Sequence, residues 1–250
     1  MIVAILQARM SSTRLPGKVL KSILGRPMLE LQIERIQRSK TLDQIVVATS
    51  SEPEDSVLVT LCQKLGVAYY TGSLTNLLDR FYHAARCYGA DHIVRLTGDC
   101  PLIDPESVDA LVNFYFNEQC DYASNCRPPT LPDGIDAEIF SFHTLETAWK
   151  EATDPFELEH VVPFIIRRTD RFRIVNLEYS EDLSHLRWTV DEPEDFELIT
   201  RIYDALYPNK PDFLTKDIIR LFRKQPELRK INANHKRNEG MWKAKIHTAL

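Results

Sequence analysis

The chain has 250 residues, 44% hydrophobic and 27% charged. That lies close to the soluble globular average and is enough for one sizeable α/β core. A formal charge of −5 argues against a nucleic-acid-binding chain, and no apolar run is long enough for a signal peptide or a membrane span. Five cysteines (62, 87, 100, 120 and 126) form no C-x-x-C pair and leave one over, so reduced thiols in a cytoplasmic protein are expected rather than a disulfide framework.

A buried strand, Ile2–Leu6, opens the chain and runs into Gln7-Ala8-Arg9-Met10-Ser11-Ser12-Thr13-Arg14-Leu15-Pro16-Gly17-Lys18. No acid precedes Glu30, while Arg9, Arg14, Lys18, Lys21 and Arg26 all do. A loop leaving a strand end with such donors suits a polyphosphate, whose oxygens accept charge-assisted hydrogen bonds. It is neither of two familiar phosphate loops. A P-loop needs glycine at Ser12 and a hydroxyl residue at Val19, and no G-x-G occurs anywhere in the chain.

Strands are next expected at Gln44–Thr49, Val67–Tyr70 and His92–Leu96, with helices Pro27–Arg38, Glu54–Leu65 and Thr75–Tyr88 between them. In the last helix Leu77, Leu78, Phe81, Ala84 and Ala85 fall at helical spacing. Helices of this length between strands predict a mainly parallel central sheet flanked by helices. After Leu96 comes Thr97-Gly98-Asp99-Cys100-Pro101-Leu102-Ile103-Asp104-Pro105, then a helix Glu106–Phe116 capped by Asp104. The pattern loosens from Asp121. Tyr122–Asn125, Ile135–Ser141 and Arg173–Leu177 read as strands, Phe142–Lys150 and Phe156–Arg168 as helices. A last strand, Leu186–Val190, precedes Asp191-Glu192-Pro193-Glu194-Asp195 and a helix to Leu206. The tail after Lys224 is basic, carrying Arg229, Lys230, Lys236, Arg237, Lys243 and Lys245; a solvated or dimer-packing segment is the expectation there.

Ligands of open parallel sheets gather beyond the carboxyl ends of the strands. The basic loop, Asp99 and Asp191 converge there. Asp99 follows the buried run Ile93-Val94-Arg95-Leu96, and Gly98 lets the chain pass close to a ligand. Two carboxylates, phosphate oxygens and water form a hard-oxygen shell suited to Mg²⁺. The plainer reading, in which both aspartates only cap the next turns, stays open at this point.

Three ordered segments carry a family resemblance: Gln7 to Lys18, Leu96-Thr97-Gly98-Asp99-Cys100-Pro101-Leu102-Ile103, and Arg187-Trp188-Thr189-Val190-Asp191-Glu192-Pro193-Glu194-Asp195. Together they resemble the nucleotide-sugar cytidylyltransferases, among them the acylneuraminate and 3-deoxy-manno-octulosonate enzymes, and most closely the spore-coat polysaccharide biosynthesis branch. The resemblance spans Met1 to Tyr207. It implies a Rossmann-like nucleotidyltransferase fold, CTP, Mg²⁺ and a homodimer. Arg14, Lys18 and Asp99 would then be catalytic and Asp99 and Asp191 metal ligands. Ala8, Arg9, Ser11, Ser12, Arg14, Lys18, Gly72, Asp79 and Arg80 would bind nucleotide. Asn125, Asp136, Glu138 and His160 lie in segments that resemble the spore-coat branch, and they are the candidates for binding the acceptor.

The expected organisation is a nucleotidyltransferase domain over residues 1–207, including an acceptor and dimerisation segment over 121–185, then a helical extension and basic tail over 208–250. The expected reaction moves CMP from CTP to an acidic sugar, a nonulosonic acid in particular, for surface polysaccharide or glycoconjugate synthesis. The acceptor segments of the acylneuraminate and octulosonate enzymes have no match here. Three rivals stay open: a guanylyl- or other nucleotidyltransferase acting on a sugar phosphate, a glycosyltransferase using a nucleotide-sugar donor, and a nucleotide-binding partner without catalysis.

Overall fold

The computed structural model describes residues 1–237. Lys243 and Lys245 of the basic tail therefore lie outside the described residues, as does the end of the 208–250 segment. The strands are β1 (Ile2–Gln7), β2 (Ser22–Ile23), β3 (Arg26–Pro27), β4 (Gln44–Ser50), β5 (Ala68–Gly72), β6 (His92–Thr97), β7 (Tyr122–Ser124), β8 (Glu138–Ser141) and β9 (Ile174–Asn176). The helices are α1 (Met28–Ile36), α2 (Ser56–Leu65), α3 (Leu77–Cys87), α4 (Pro105–Glu118), α5 (Phe142–Glu151), α6 (Pro155–His160), α7 (Pro163–Ile166), α8 (Pro193–Leu206) and α9 (Thr215–Lys224).

Seven strands form one sheet in the order β5-β4-β1-β6-β8-β7-β9, while β2 and β3 make a separate short hairpin. Four strand pairs are parallel and only β8 runs antiparallel to its neighbours β6 and β7. This is the mainly parallel α/β sheet expected. β1 sits inside it, so Val3, Ala4, Ile5 and Leu6 are all fully buried. Their two-residue alternation splits the core. Ala4 and Leu6 face α1, α2 and α4 through Leu29, Ile33, Leu58 and Leu111. Val3 and Ile5 face α3, α5 and α7 through Phe81, Leu145 and Phe164. A third cluster joins Trp188 and Val190 to α8 and α9 through Ile199, Phe213 and Phe222.

From β1 the chain steps outward to β4 and β5, then returns to the other side of β1 as β6. The direction reverses between β1 and β6, so a crevice opens at their carboxyl ends. Caps fix the helices that flank it. Asp104 accepts from Glu106 N, with Pro105 opening α4, and Asn76 accepts from Asp79 N at α3.

Two expected elements differ. Leu186–Val190 is extended but is not a sheet strand; it makes one isolated parallel bridge, Asp133 with Arg187. Its backbone bonds to loops instead, with Asp133 N donating to Leu186 O at 2.9 Å, Trp188 N to Asp133 O at 2.6 Å and Val190 N to Asp99 O at 2.8 Å. The expected helix over Phe156–Arg168 is two helices, α6 and α7. Val161 between them holds φ +60°, and Pro163, lacking an N–H, starts the second turn.

Gly134 is what lets the 186–190 arm approach. It holds φ +105°, and a Cβ there would lie 2.5 Å from Thr189 N and 2.6 Å from Trp188 C. Both the conformation and the space require glycine. Gly134→Ala is expected to lower unfolding free energy by about 2 kcal/mol or more, read as an earlier urea midpoint at unchanged slope; a wild-type midpoint would show that the arm is free to move away.

Candidate functional site

The basic loop is shaped by its own backbone. Ala8 N donates to Ala48 O, while Ser12 N and Gly17 N both donate to Met10 O. Buried Asp55 accepts from Met10 N at 2.6 Å and from the Ser50 N–H at 3.1 Å. Gly17 turns the chain at φ +65°, and a 3-10 turn over Lys18–Leu20 follows. Lys18 is thereby sent inward and is only 9% exposed. On the facing side Gly98 N donates to Gln7 O at 2.8 Å, and a Cβ on Gly98 would lie 3.0 Å from that oxygen. The Thr97-Gly98-Asp99 turn thus lies directly against the start of the loop.

Between them is a cavity of about 300 Å³, at the lower end of the size usual for small-molecule sites. Ala8, Arg9, Ser11, Ser12, Arg14, Lys18, Arg80, Asp99, His160 and Asp191 all line it. At its centre Lys18 Nζ donates to Asp99 Oδ2 at 3.1 Å, to Asp191 Oδ1 at 2.8 Å and to Val190 O at 2.8 Å. Three acceptors use all three ammonium protons. Arg14 joins them, 2.9 Å from Asp191 Oδ1 and 3.3 Å from Glu192 Oε1. Burial alone would lower the Lys18 pKa, but Asp99 and Asp191 outweigh it and raise it. Burial likewise pushes Asp99 up, yet Lys18 and the Thr97 hydroxyl hold it down to about 2. Both groups are charged at neutral pH.

Comparison with known proteins decides the family. The profile described as cytidylyltransferase matches residues 3–231. The chain belongs to the cytidylyltransferase family. It is a nucleotidyltransferase enzyme. It is 38% identical over 235 residues to an uncharacterized protein of Methanocaldococcus jannaschii, covering 93% of this chain and 95% of that one. It is 33% identical over 233 residues to the spore coat polysaccharide biosynthesis protein SpsF of Bacillus subtilis, covering 90% and 95%. A solved cytidylyltransferase from Leptospira borgpetersenii superposes with a TM-score of 0.87 at 34% identity, over 91% of this chain and 96% of that one. A solved CMP:2-keto-3-deoxy-manno-octonic acid synthetase complexed with CTP shares the fold, with a TM-score of 0.62 at 17% identity over 82% and 98%.

Within this cytidylyltransferase, five expected site residues lie off the cavity. Gly72 ends β5 behind Arg80, where a Cβ would sit 3.1 Å from Arg80 Cγ, so it makes room for that side chain. Asp79 turns the other way along α3; its Oδ1 accepts from Trp149 Nε1 at 2.9 Å and pairs with His83 at 3.3 Å. Asn125 is fully buried, donating to Ile135 O and accepting from Ala137 N, both at 2.9 Å. Asp136 pairs with Arg237, and burial pushes its pKa up to about 7 against that pairing. Glu138 is buried under Arg95, Arg127 and Tyr122. Sequence reasoning passed over Gln7, Thr97, Glu159 and Arg95, all of which line the cavity. Arg95 had a signal: it is the one charged residue inside an otherwise apolar strand run.

Asp191 is held from behind. Buried Arg187 forks onto Asp195 at 2.9 and 2.8 Å, reaches Asp133 Oδ2 at 3.0 Å and touches Asp191 Oδ2 at 3.4 Å. Asp195 Oδ2 also accepts from Asp191 N and Glu192 N, each at 3.0 Å. Asn232 ties the C-terminal segment to the same knot through Asp195 Oδ1 at 2.8 Å. Asp99 has its own anchor. Arg35 donates to Ile103 O at 2.8 Å, Leu102 O at 3.4 Å and Phe213 O at 3.0 Å, fixing the chain that follows Asp99. Arg187→Met would leave Asp195 and Asp133 buried without their guanidinium, an expected cost of about 3 kcal/mol or more. Arg187→Lys should recover little, because the fork is lost; full urea stability in either variant would show the knot to be dispensable.

Proposed function

We propose that this enzyme transfers CMP from CTP to an acidic sugar, a nonulosonic acid in particular, releasing pyrophosphate with Mg²⁺ as cofactor. The observation that carries this is the Lys18 ammonium seated between Asp99 and Asp191, with Arg14 alongside, where β1 and β6 end. Cytidylyltransferase membership, the likeness to the spore coat protein and the fold shared with a CTP-bound synthetase of a sugar acid point to the same substrates.

The aspartates suit a hard divalent cation, since their carboxylates already converge on one positive charge. Asp99 and Asp191 would hold Mg²⁺, which when bound neutralises phosphate oxygens and lowers the pKa of a hydroxyl. Arg14 and Lys18 bind the triphosphate and stabilise the charge of departing pyrophosphate. Ser11 and Ser12 add hydroxyl donors, while Arg9 and Arg80 flank the nucleotide beside Leu74 and Leu77. The acceptor's anomeric oxygen forms the new bond to the α-phosphorus as the bond to the β-phosphate oxygen breaks. His160, which lines the same cavity, is placed to take the hydroxyl proton; burial lowers its pKa.

Thermal stabilisation by CTP, UTP, GTP, ATP and dTTP, each with and without Mg²⁺, tests the reading. At a hundredfold its dissociation constant CTP should add about 2.7 kcal/mol, selectively and with Mg²⁺; preference for another base would replace the donor. A second expectation concerns Lys18. Without nucleotide, Lys18→Met should bind Mn²⁺, counted by EPR, about tenfold more tightly than wild type, because a positive charge leaves the two carboxylates. Equal affinity would mean that Lys18 and the metal do not share a place.

A further inference from the structure

We infer that Arg95 is the residue that reads the acceptor, its guanidinium recognising the acceptor's carboxylate and setting the preference for an acid over a neutral sugar. This rests on the cytidylyl-transfer reading above and goes beyond it by assigning acceptor specificity to one side chain.

Arg95 lies on β6 directly opposite Glu138 on β8 and lines the cavity with His160 and Glu159. Its Nη1 pairs with Glu138, while its buried Nε has no hydrogen-bond partner among the described residues. A buried guanidinium donor left unpaired is costly, and such a group calls for a ligand. Glu138 does not neutralise its surroundings. This one carboxylate, 3% exposed, receives Arg95, Arg127 at 3.3 Å and the Tyr122 hydroxyl. Two guanidinium charges against one carboxylate leave a surplus of one, and of the two arginines only Arg95 lines the cavity.

Arg9, Arg14, Lys18 and Arg80 are the other cations that line the cavity. Arg14 and Lys18 are held by Asp99, Asp191 and Glu192. Arg80, whose buried Nε is likewise without a hydrogen-bond partner among the described residues, donates to Ser73 O at 3.1 Å, next to Leu74 and Leu77 on the nucleotide side. Arg95 and His160 line the same cavity, and Arg95, like Arg9, helps to lower the His160 pKa. A planar donor fork there matches a carboxylate in both charge and shape.

The test uses the full chain, CTP and Mg²⁺, with pyrophosphate release as the readout. The probes are three 2-keto-3-deoxy sugar acids, 2-keto-3-deoxy-manno-octonic acid among them, each beside its uncharged C1 amide. Wild type should favour an acid over its amide at least thirtyfold in kcat/KM. Arg95→Met should raise KM for the acid at least tenfold and erase most of that preference, leaving the CTP-induced thermal shift unchanged. Arg95→Lys keeps Glu138 paired and guards against misfolding; it should fall between the two. Arg127→Met removes the other guanidinium without touching the cavity and should leave acceptor KM within twofold of wild type. An unchanged preference in Arg95→Met, an equal loss in Arg127→Met, or a wild type that shifts with CTP yet uses no acid would each overturn the assignment. A wild type with no CTP shift would instead remove the cytidylyl-transfer reading on which it rests.

Discussion

One ammonium group organises this molecule. Lys18 Nζ contacts one oxygen from the turn after β6 and two from the arm before α8, segments more than eighty residues apart that do not share a sheet pairing. Isolated, Asp99 and Asp191 would repel each other across the cavity they both line. With Lys18 between them the two carboxylates sit close, and Asp99 is held ionised. Neither carboxylate is free to drift, because each sits on chain fixed by a buried arginine: Arg35 on the carbonyls following Asp99, Arg187 on the carboxylates around Asp191. Both arginines are buried, a position charged side chains rarely take without hydrogen-bond partners.

Much of the fold was legible because its strongest signals are local. Ile2–Leu6, Gln44–Thr49 and His92–Leu96 are short apolar runs separated by amphipathic helices, and they form the parallel part of the sheet. The misses have a different physics. Leu186–Val190 shows the apolar alternation of a strand, and Leu186, Trp188 and Val190 are indeed buried. Its backbone partners, however, are the loops at Asp133 and Asp99, and no local pattern says which polar groups a backbone will find. In Phe156–Arg168 the apolar spacing outweighed Pro163, whose missing N–H was the better guide.

The candidate site divides along the same line. Ala8, Arg9, Ser11, Ser12, Arg14, Lys18 and Asp99 line the cavity because sheet topology delivers the segments after β1 and β6 to the crevice. Asp79, Asn125, Asp136 and Glu138 were expected from the family resemblance, and each is occupied with another part of the chain: Trp149 and His83, the 135–137 loop, Arg237, and Arg95 with Arg127. A polar residue type says nothing about which partner it meets first. A charge inside an apolar strand is more informative, since folding must either pair it or aim it at a cavity. Arg95 does both.

The distribution of charge in the cavity explains how two ligands can depend on each other without a moving lid. On the side of Lys18, cations and carboxylates already compensate each other. On the proposed reading, a triphosphate arriving alone would take Arg14 and Lys18 but expose Asp99 and Asp191 to phosphate oxygens. A divalent ion arriving alone would meet Lys18 in its place. Arriving together, they would divide the site: Arg14 and Lys18 would hold phosphate, Asp99 and Asp191 would hold the metal, and no charge would be left bare. The coupling follows from conserving charge in a partly buried space, where an unpaired charge costs several kcal/mol. On the other side Arg95 shares Glu138 with Arg127, so compensation there is partial and one guanidinium charge is left over.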